Sequence, residues 1–175
     1  MMRFILSLLF AIACGILVCA YRRGWIIVTY PCHQHTISIK SKQKKEIVVY
    51  WHQHNGWHHE KIIMLWSDDM AINMYHIVNR WLEILDDEQI TLTRVALHSA
   101  IITPSGSTAY LSFDSSPLPQ QISAYAKLCI VEGLLKTIRQ NGITVQDIHL
   151  LVHHQPLVDA HLEFAHAWPI TGFIA

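Results

Sequence analysis

An apolar run without a single charge stands near the start of the chain, from Phe4 to Tyr21. As a helix it would rise about 1.5 Å per residue to about 27 Å, close to the thickness of the hydrocarbon core of a bilayer. Tyr21 and Trp25 stand where interfacial aromatic residues are found. The pattern predicts an uncleaved signal anchor, a transmembrane helix, within residues 1–30.

Two other interpretations of this segment stay open. Small residues at 18–20 fit the cleavage site of a secretory signal peptide. The run Ala11-Ile12-Ala13-Cys14-Gly15 resembles a lipobox, which would make the mature protein a lipoprotein. The flanking charges do not decide the topology. Only Arg3 precedes the segment while several Arg and Lys follow it, so the positive-inside rule would place the rest in the cytoplasm.

Residues 31–45 are predicted to be a basic linker, and a folded domain is predicted over residues 46–175. The β-branched and aromatic segments Glu46–His52 and Lys61–Trp66 predict two strands, with turn chemistry at Asn55-Gly56 between them. Two further strands, Thr93–Thr103 and Thr108–Asp114, enclose a Pro-Gly turn, and Val145–Val152 predicts a closing strand. The segment that follows is predicted to be irregular.

Two segments have the apolar spacing of amphipathic helices. The first follows Ser67, a plausible N-cap, and is expected to end near Leu85. The second is predicted over Gln120–Gln140, with Asn141-Gly142 as its C-cap. The predicted inward residues are Met70, Met74, Ile77, Val78, Trp81 and Leu85 in the first helix, and Ile122, Tyr125, Ala126, Cys129, Val131, Leu134, Leu135 and Ile138 in the second.

The order β-β-α-β-β-α-β predicts an α+β fold, a mixed β-sheet with two amphipathic helices packed on one face, preceded by the N-terminal transmembrane helix. With 175 residues, the chain has room for one such domain. Thirteen Lys and Arg balance thirteen Asp and Glu, which argues against a nucleic-acid-binding protein. Four cysteines without a CxxC pair argue against a disulfide framework or a thiolate zinc site.

Histidine is the compositional outlier, with thirteen residues. His33 and His35, like His52 and His54, are two residues apart, which puts two imidazoles on one face of a strand. A zinc site needs three or four convergent ligands, however, and HExxH is absent from the sequence. The other histidine pairs are His58-His59 and His153-His154. We therefore predict no metal and no cofactor, and keep a histidine-dependent metal-binding or hydrolytic domain at the membrane surface as the alternative.

No residue is assigned a catalytic role, and we predict that the protein is not an enzyme. Ser105-Gly106-Ser107 lacks the nucleophile elbow, and Cys129 lies on the inward face of a predicted helix. Asp114 is expected to cap a turn, and the acidic run 86–88 to be solvated. No small-molecule substrate is indicated by the sequence.

Several weak motifs, in this order, resemble the GerMN domain, a module of envelope proteins involved in sporulation and germination. The second strand of its hairpin corresponds to Gly106–Asp114, part of its helix to Ile130–Ile138, and its closing strand to Val145–Val152. The family tail is matched loosely at Ala160–Glu163 and Trp168-Pro169, where His161 would have a buried or hydrogen-bonded structural role. The resemblance covers Glu46–Pro169.

The chain departs from the family at two places. His153-His154-Gln155-Pro156 stands where the family has a V-D-G turn, and Ala160 replaces the glycine before the tail histidine. The resemblance implies a single-pass membrane protein with its domain outside the cytoplasm, acting as a non-catalytic interaction or assembly module with an envelope protein as partner. An unpaired sheet edge or an exposed apolar patch would favour this function over metal binding. Trp51, Trp57 and Trp66 are candidates for the patch, although core packing is the default for each.

Overall fold

The computed structural model describes residues 43–173, so the predicted anchor and most of the predicted linker lie outside the described residues. None of the helices in this range is long and apolar enough to cross a membrane. The predicted order of strands and helices is confirmed, and two very short strands are added in the tail. The elements between residues 43 and 173 are β1 (Gln43–Gln53), β2 (Gly56–Trp66), α1 (Met70–Asp87), β3 (Leu97–Ile102), β4 (Thr108–Phe113), α2 (Ala124–Gln140), β5 (Asp147–Val152), β6 (Gln155–Pro156) and β7 (Trp168–Pro169).

The strands form two sheets, whereas the sequence predicted one. β1 and β2 form an antiparallel hairpin of their own. In the second sheet β3 pairs antiparallel with β4, β4 pairs parallel with β5, and the short strands β6 and β7 both pair with β5. The fold is therefore α+β with a mixed main sheet, as expected, but the first hairpin is not hydrogen-bonded into it.

The hairpin is separate because helix α2 occupies the edge of β1 where another strand would pair. The N–H of Val48 donates to Asn141 Oδ1 at 2.9 Å, and Asn141 Nδ2 donates back to the carbonyl of Val48 at 2.8 Å. Two residues along the strand, the N–H of Tyr50 donates to Thr137 Oγ1 at 2.9 Å. At Gly133 a Cβ atom would lie 3.1 Å from the Tyr50 carbonyl oxygen, so glycine permits this close approach. Side chains of the helix thus provide hydrogen-bond partners for the backbone groups of β1, as a neighbouring strand would.

The strand boundaries differ from the predicted ones. The hairpin is longer than expected, because pairing runs unbroken from Gln43 opposite Trp66 to Gln53 opposite Gly56. Its turn consists of His54 and Asn55, with φ of 50° and 61°, and Gly56 is already the first residue of β2. β3 is shorter, beginning at Leu97.

The first helix, α1, has the predicted core face but a different N-cap. Asp69, rather than Ser67, caps it by accepting the N–H of Ala71 at 2.8 Å. Five of the six predicted inward residues are buried; Met70, the first residue of the helix, is 41% exposed. The helix ends at Asp87, two residues beyond the predicted end.

The second helix, α2, begins at Ala124 rather than Gln120, because Ser123 caps it by accepting the N–H of Ala126. Its predicted end is confirmed: Asn141 is the C-cap and Gly142 has a φ of +77°. Tyr125 was expected inside but is 62% exposed. The main core lies between the helices and the inner faces of both sheets, and its α2 members include Cys129, Val131, Leu134, Leu135 and Ile138.

We expect Asn141→Ala to destabilise the fold by about 1–3 kcal/mol, because it leaves the backbone groups of Val48 without partners at a partly buried edge. Chemical denaturation followed by tryptophan fluorescence measures the change. The control is Gln140→Ala at the neighbouring, exposed end of the helix. Equal denaturation midpoints for the two variants would contradict the role of Asn141.

Candidate functional site

The edge of β2 that faces away from β1 is the open edge of the hairpin. Successive residues of a strand direct their N–H and C=O groups to opposite edges. Since Val48 and Tyr50 of β1 point to α2, the residues opposite them in the register, Lys61 and His59, point away from β1. The same alternation applies to Trp57, Ile63 and Leu65. Within residues 43–173, β2 pairs with no strand other than β1.

The side chains of these β2 residues share one surface with those of alternate β1 residues. Directly opposite residues of an antiparallel pair lie on the same face. We call this surface the outer face, and it consists of Lys44, Glu46, Val48, Tyr50 and His52 from β1 and Trp57, His59, Lys61, Ile63 and Leu65 from β2. Ile63 is 69% exposed and Leu65 is 51% exposed, both at the end of the hairpin far from its turn. The opposite face carries the buried Ile47 and Val49.

Aromatic and cationic groups cover the half of the outer face nearer the turn. The rings of His52 and Trp57 meet edge-on at a centroid distance of 5.3 Å, and Tyr50 lies 5.8 Å from His59. From α2, Lys136 places its Nζ 4.7 Å from the Tyr50 ring centroid and 5.0 Å from that of Trp57. Lys61 donates to Glu46 at 2.9 Å, which raises the pKa of Lys61. The outer face is therefore apolar at the end far from the turn. At the end nearer the turn it is aromatic, with the Lys136 ammonium group over the rings.

Of the three tryptophans predicted for a patch, Trp57 belongs to the outer face. Trp51 is buried in the core. Trp66 is partly buried, and Lys45 Nζ lies 3.6 Å above the centroid of its ring. The exposed aliphatic residues Ile63 and Leu65, which were not singled out in the sequence, contribute more of the apolar surface than the two other tryptophans.

The structure does not bring the predicted histidine pairs together. His52 lies on the outer face, His54 in the hairpin turn, and His58 and His59 on opposite faces of β2. His153 and His154 form the turn between β5 and β6, where the ring of His154 lies 5.0 Å from that of His98. His33 and His35 lie outside the described residues. Between Gln43 and Phe173 no group of three or more His, Cys, Asp or Glu side chains could hold a metal ion.

The residues weighed for catalysis are placed as core or capping groups. Cys129 is buried in the core. Asp114 accepts the N–H of Ala96 at 2.9 Å and the hydroxyl of Ser115 at 3.0 Å. Burial raises the pKa of Asp114, but these and other hydrogen bonds outweigh burial and hold it below the ordinary value. Asp86 and Asp87 line a cleft of about 410 Å³ together with Arg80, Glu83 and Arg94.

A buried ion pair connects the tail, residues 157–173, to α2. This pair was not predicted from the sequence. Lys127 donates to Asp159 at 2.5 Å, and the two side chains are 1% and 3% exposed. Lys127 Nζ also lies 3.2 Å from His161 Nδ1, so His161 is hydrogen-bonded, as predicted, although its side chain is half-exposed. Burial raises the pKa of Asp159, but hydrogen bonds from Lys127 and from the N–H groups of His161 and Leu162 hold it below its ordinary value. Ionised Asp159 thus stabilises the fold, and this contribution is lost as the pH falls through its lowered pKa.

A second charged contact fixes the end of the tail one to two turns further along α2. Glu132 is buried and accepts from Arg139 Nη2 at 3.3 Å and from the N–H of Phe173 at 3.0 Å. Arg139 also donates to the carbonyl of Ile170 at 2.6 Å. Gly172 has a φ of +74°, which favours glycine, and a Cβ atom there would collide with the Glu132 carboxylate and displace it. In the sequence, the signal for both contacts was a charged residue interrupting an otherwise apolar helix.

Comparisons with known proteins give distant structural likenesses. No protein-family model matches the chain, and no curated protein matches it. One similar solved structure is that of a candidate lipoprotein from Clostridium perfringens, with 16% identity, a TM-score of 0.46, and coverage of 75% of this chain and 93% of that one. Another contains the tandem GerMN domains of the sporulation protein GerM from Bacillus subtilis, with 10% identity, a TM-score of 0.46, and coverage of 81% of this chain and 49% of that one. At these values, membership of the GerMN family stays a prediction.

We expect Asp159→Asn to destabilise the fold by about 3–5 kcal/mol, because it leaves the buried Lys127 ammonium without its counter-charge. Adding Lys127→Met should restore at least half of the loss, since the double variant buries no unpaired charge. Thermal or chemical unfolding of both variants measures the effect. A double variant that is less stable than Asp159→Asn would show that Lys127 is held by something other than this pair.

Proposed function

We propose that this protein is a membrane-tethered, non-catalytic interaction module of the cell envelope, and that the open edge of β2 receives an extended segment of an envelope protein. The observation that carries the proposal is the eleven-residue strand β2, which is paired along one edge only within the described residues. An extended peptide adds to such an edge through backbone hydrogen bonds, and side-chain pockets beside it provide specificity.

The two edges of the hairpin differ in a way that supports this function. The edge of β1 is occupied by Asn141 and Thr137 of α2. The edge of β2 has five residues whose backbone groups point outward, among them His59 and Lys61. A lysine beside an open edge disfavours indiscriminate aggregation through that edge.

The tether and the placement outside the cytoplasm rest on the sequence. Phe4–Tyr21 has the length and composition of a membrane span. The GerMN resemblance favours the extracytoplasmic side, and the similarity to a candidate lipoprotein is compatible with an envelope location.

His59→Pro is expected to abolish binding at the open edge, because proline removes an outward N–H and places its ring where a partner strand would pair. The ladder to β1 is kept, since this N–H does not face β1. The matched control His59→Thr changes the same side chain but retains the N–H. Affinity capture of the full chain from its own membranes should recover the same partner with wild type and His59→Thr, and about tenfold less or none with His59→Pro.

Equal recovery of the partner by the proline and threonine variants would exclude the open edge as the binding site. Circular dichroism of both variants verifies that the hairpin is intact.

The proposed topology predicts that a reporter fused after Ala175 is active only when it functions outside the cytoplasm. Alkaline phosphatase, which needs disulfides to fold, should be active in this fusion, and a fluorescent protein that folds only in the cytosol should be dark. The opposite pair of results would place the domain in the cytoplasm, as the positive charges after residue 21 would suggest.

A further inference from the structure

The outer face has the composition of a protein surface that lies on a membrane. It exposes the aliphatic side chains Ile63 and Leu65 at one end and carries the half-buried, amphipathic aromatic residues Tyr50 and Trp57 towards the other. Aliphatic residues enter the boundary between head groups and acyl chains, and Trp and Tyr are enriched at that boundary. A single exposed leucine needs no explanation, but exposed apolar residues adjoining along one strand do.

The charges of the outer face are complementary to anionic lipid. Lys44 lies directly opposite Leu65, and Lys61 lies beside Ile63 on the same strand face. Lys136 adds a third cation over the aromatic rings. Glu46 is the single acidic residue of the outer face, and it is paired with Lys61. The long stems of the lysines let their charges reach head groups while the aliphatic side chains insert between them.

The position of the face along the chain favours the membrane as its occupant. The predicted span ends at Tyr21 and β1 begins at Gln43, so 21 residues separate them. A stretch of that length reaches at most about 70 Å whatever its conformation. Lys44 and Leu65 lie at the end of the hairpin where β1 begins, which is the end nearer in sequence to the predicted span. The proposed tether would therefore raise the effective concentration of the bilayer at the outer face.

We propose that the outer face of the hairpin docks on an anionic bilayer surface, with Ile63 and Leu65 inserted among the head groups and Lys44 paired with lipid phosphates. This docking rests on the membrane tether of the proposed function. Docking of the outer face leaves the open edge of β2 unobstructed. The backbone groups of the edge point along the plane of the sheet, whereas the side chains of the outer face point perpendicular to that plane.

The test uses the full chain reconstituted in vesicles of phosphatidylcholine alone and of phosphatidylcholine mixed with phosphatidylglycerol. An environment-sensitive fluorescent amino acid is incorporated at position 63 and, in a separate protein, at position 158. Val158 is the matched control, since it is an aliphatic residue with 91% exposure outside the hairpin. We expect blue-shifted emission at position 63 in the mixed vesicles, and the emission of a water-exposed probe at position 158.

Lys44→Gln should reduce the docked population about fivefold in the mixed vesicles, as expected for one lysine near an anionic surface. Water-exposed emission at position 63 in both kinds of vesicle would overturn the docking, and so would a blue shift that appears only in native membranes, which would assign the face to a protein. Flotation of the vesicles after an alkaline wash reports separately on the anchor. A chain that floats without a blue shift refutes the docking alone, and a chain that does not float refutes the tether.

Discussion

The architecture depends on one contact, the docking of α2 along the edge of β1. Asn141 and Thr137 hydrogen-bond the backbone of Val48 and Tyr50 as a strand would, and Gly133 lets the two backbones approach. The backbone N–H and C=O groups of an edge strand can hydrogen-bond to another strand, to side chains or to water. Because α2 occupies the edge of β1, the hairpin cannot join the main sheet through β1. The same contact therefore determines which edge of the hairpin is left open and which face is turned outward.

Helix α2 is covered by other elements on all sides over part of its length, and its sequence there is mostly apolar. From Cys129 to Leu135 every residue of α2 is buried, including Glu132. A helix surrounded in this way needs partners for each polar side chain on it, because an unpaired buried charge is costly. The tail supplies Asp159 for Lys127 and the N–H of Phe173 for Glu132, and Arg139 of α2 supplies the counter-charge of Glu132. The tail is thus a structural layer over α2, which explains why an irregular segment with two-residue strands is held in a defined path.

Local patterns in the sequence were sufficient to predict the longer strands and both helices, but not how the strands pair. The apolar period predicted α1 and α2, and Asn141-Gly142 predicted the end of α2, because these signals lie within a few residues of each other. The division into two sheets was not predictable, since the partner of Val48 is 93 residues away. The burial of Lys127 and Glu132 was not predictable, because charged side chains favour the surface unless partners are present, and Asp159 and the N–H of Phe173 lie 32 and 41 residues further along the chain. The exposed pair Ile63 and Leu65 alternates with Ile62 and Met64, so the segment gave no indication of which face would be covered.

The open edge and the outer face place joint demands on a partner. If the outer face lies on the bilayer, the edge of β2 runs parallel to the membrane surface at the depth of the head groups. A strand could then add to β2 only by approaching along the membrane, so the partner would itself be anchored or peripheral to the same bilayer. Two weak contributions, a short backbone ladder and a few inserted side chains, would then become effective together, because the proposed tether would offset the loss of translational freedom for both. The hairpin would then recognise a partner mainly by its position at the membrane and only secondarily by its amino-acid sequence. This fits an edge that offers backbone hydrogen-bonding groups and few specific side chains.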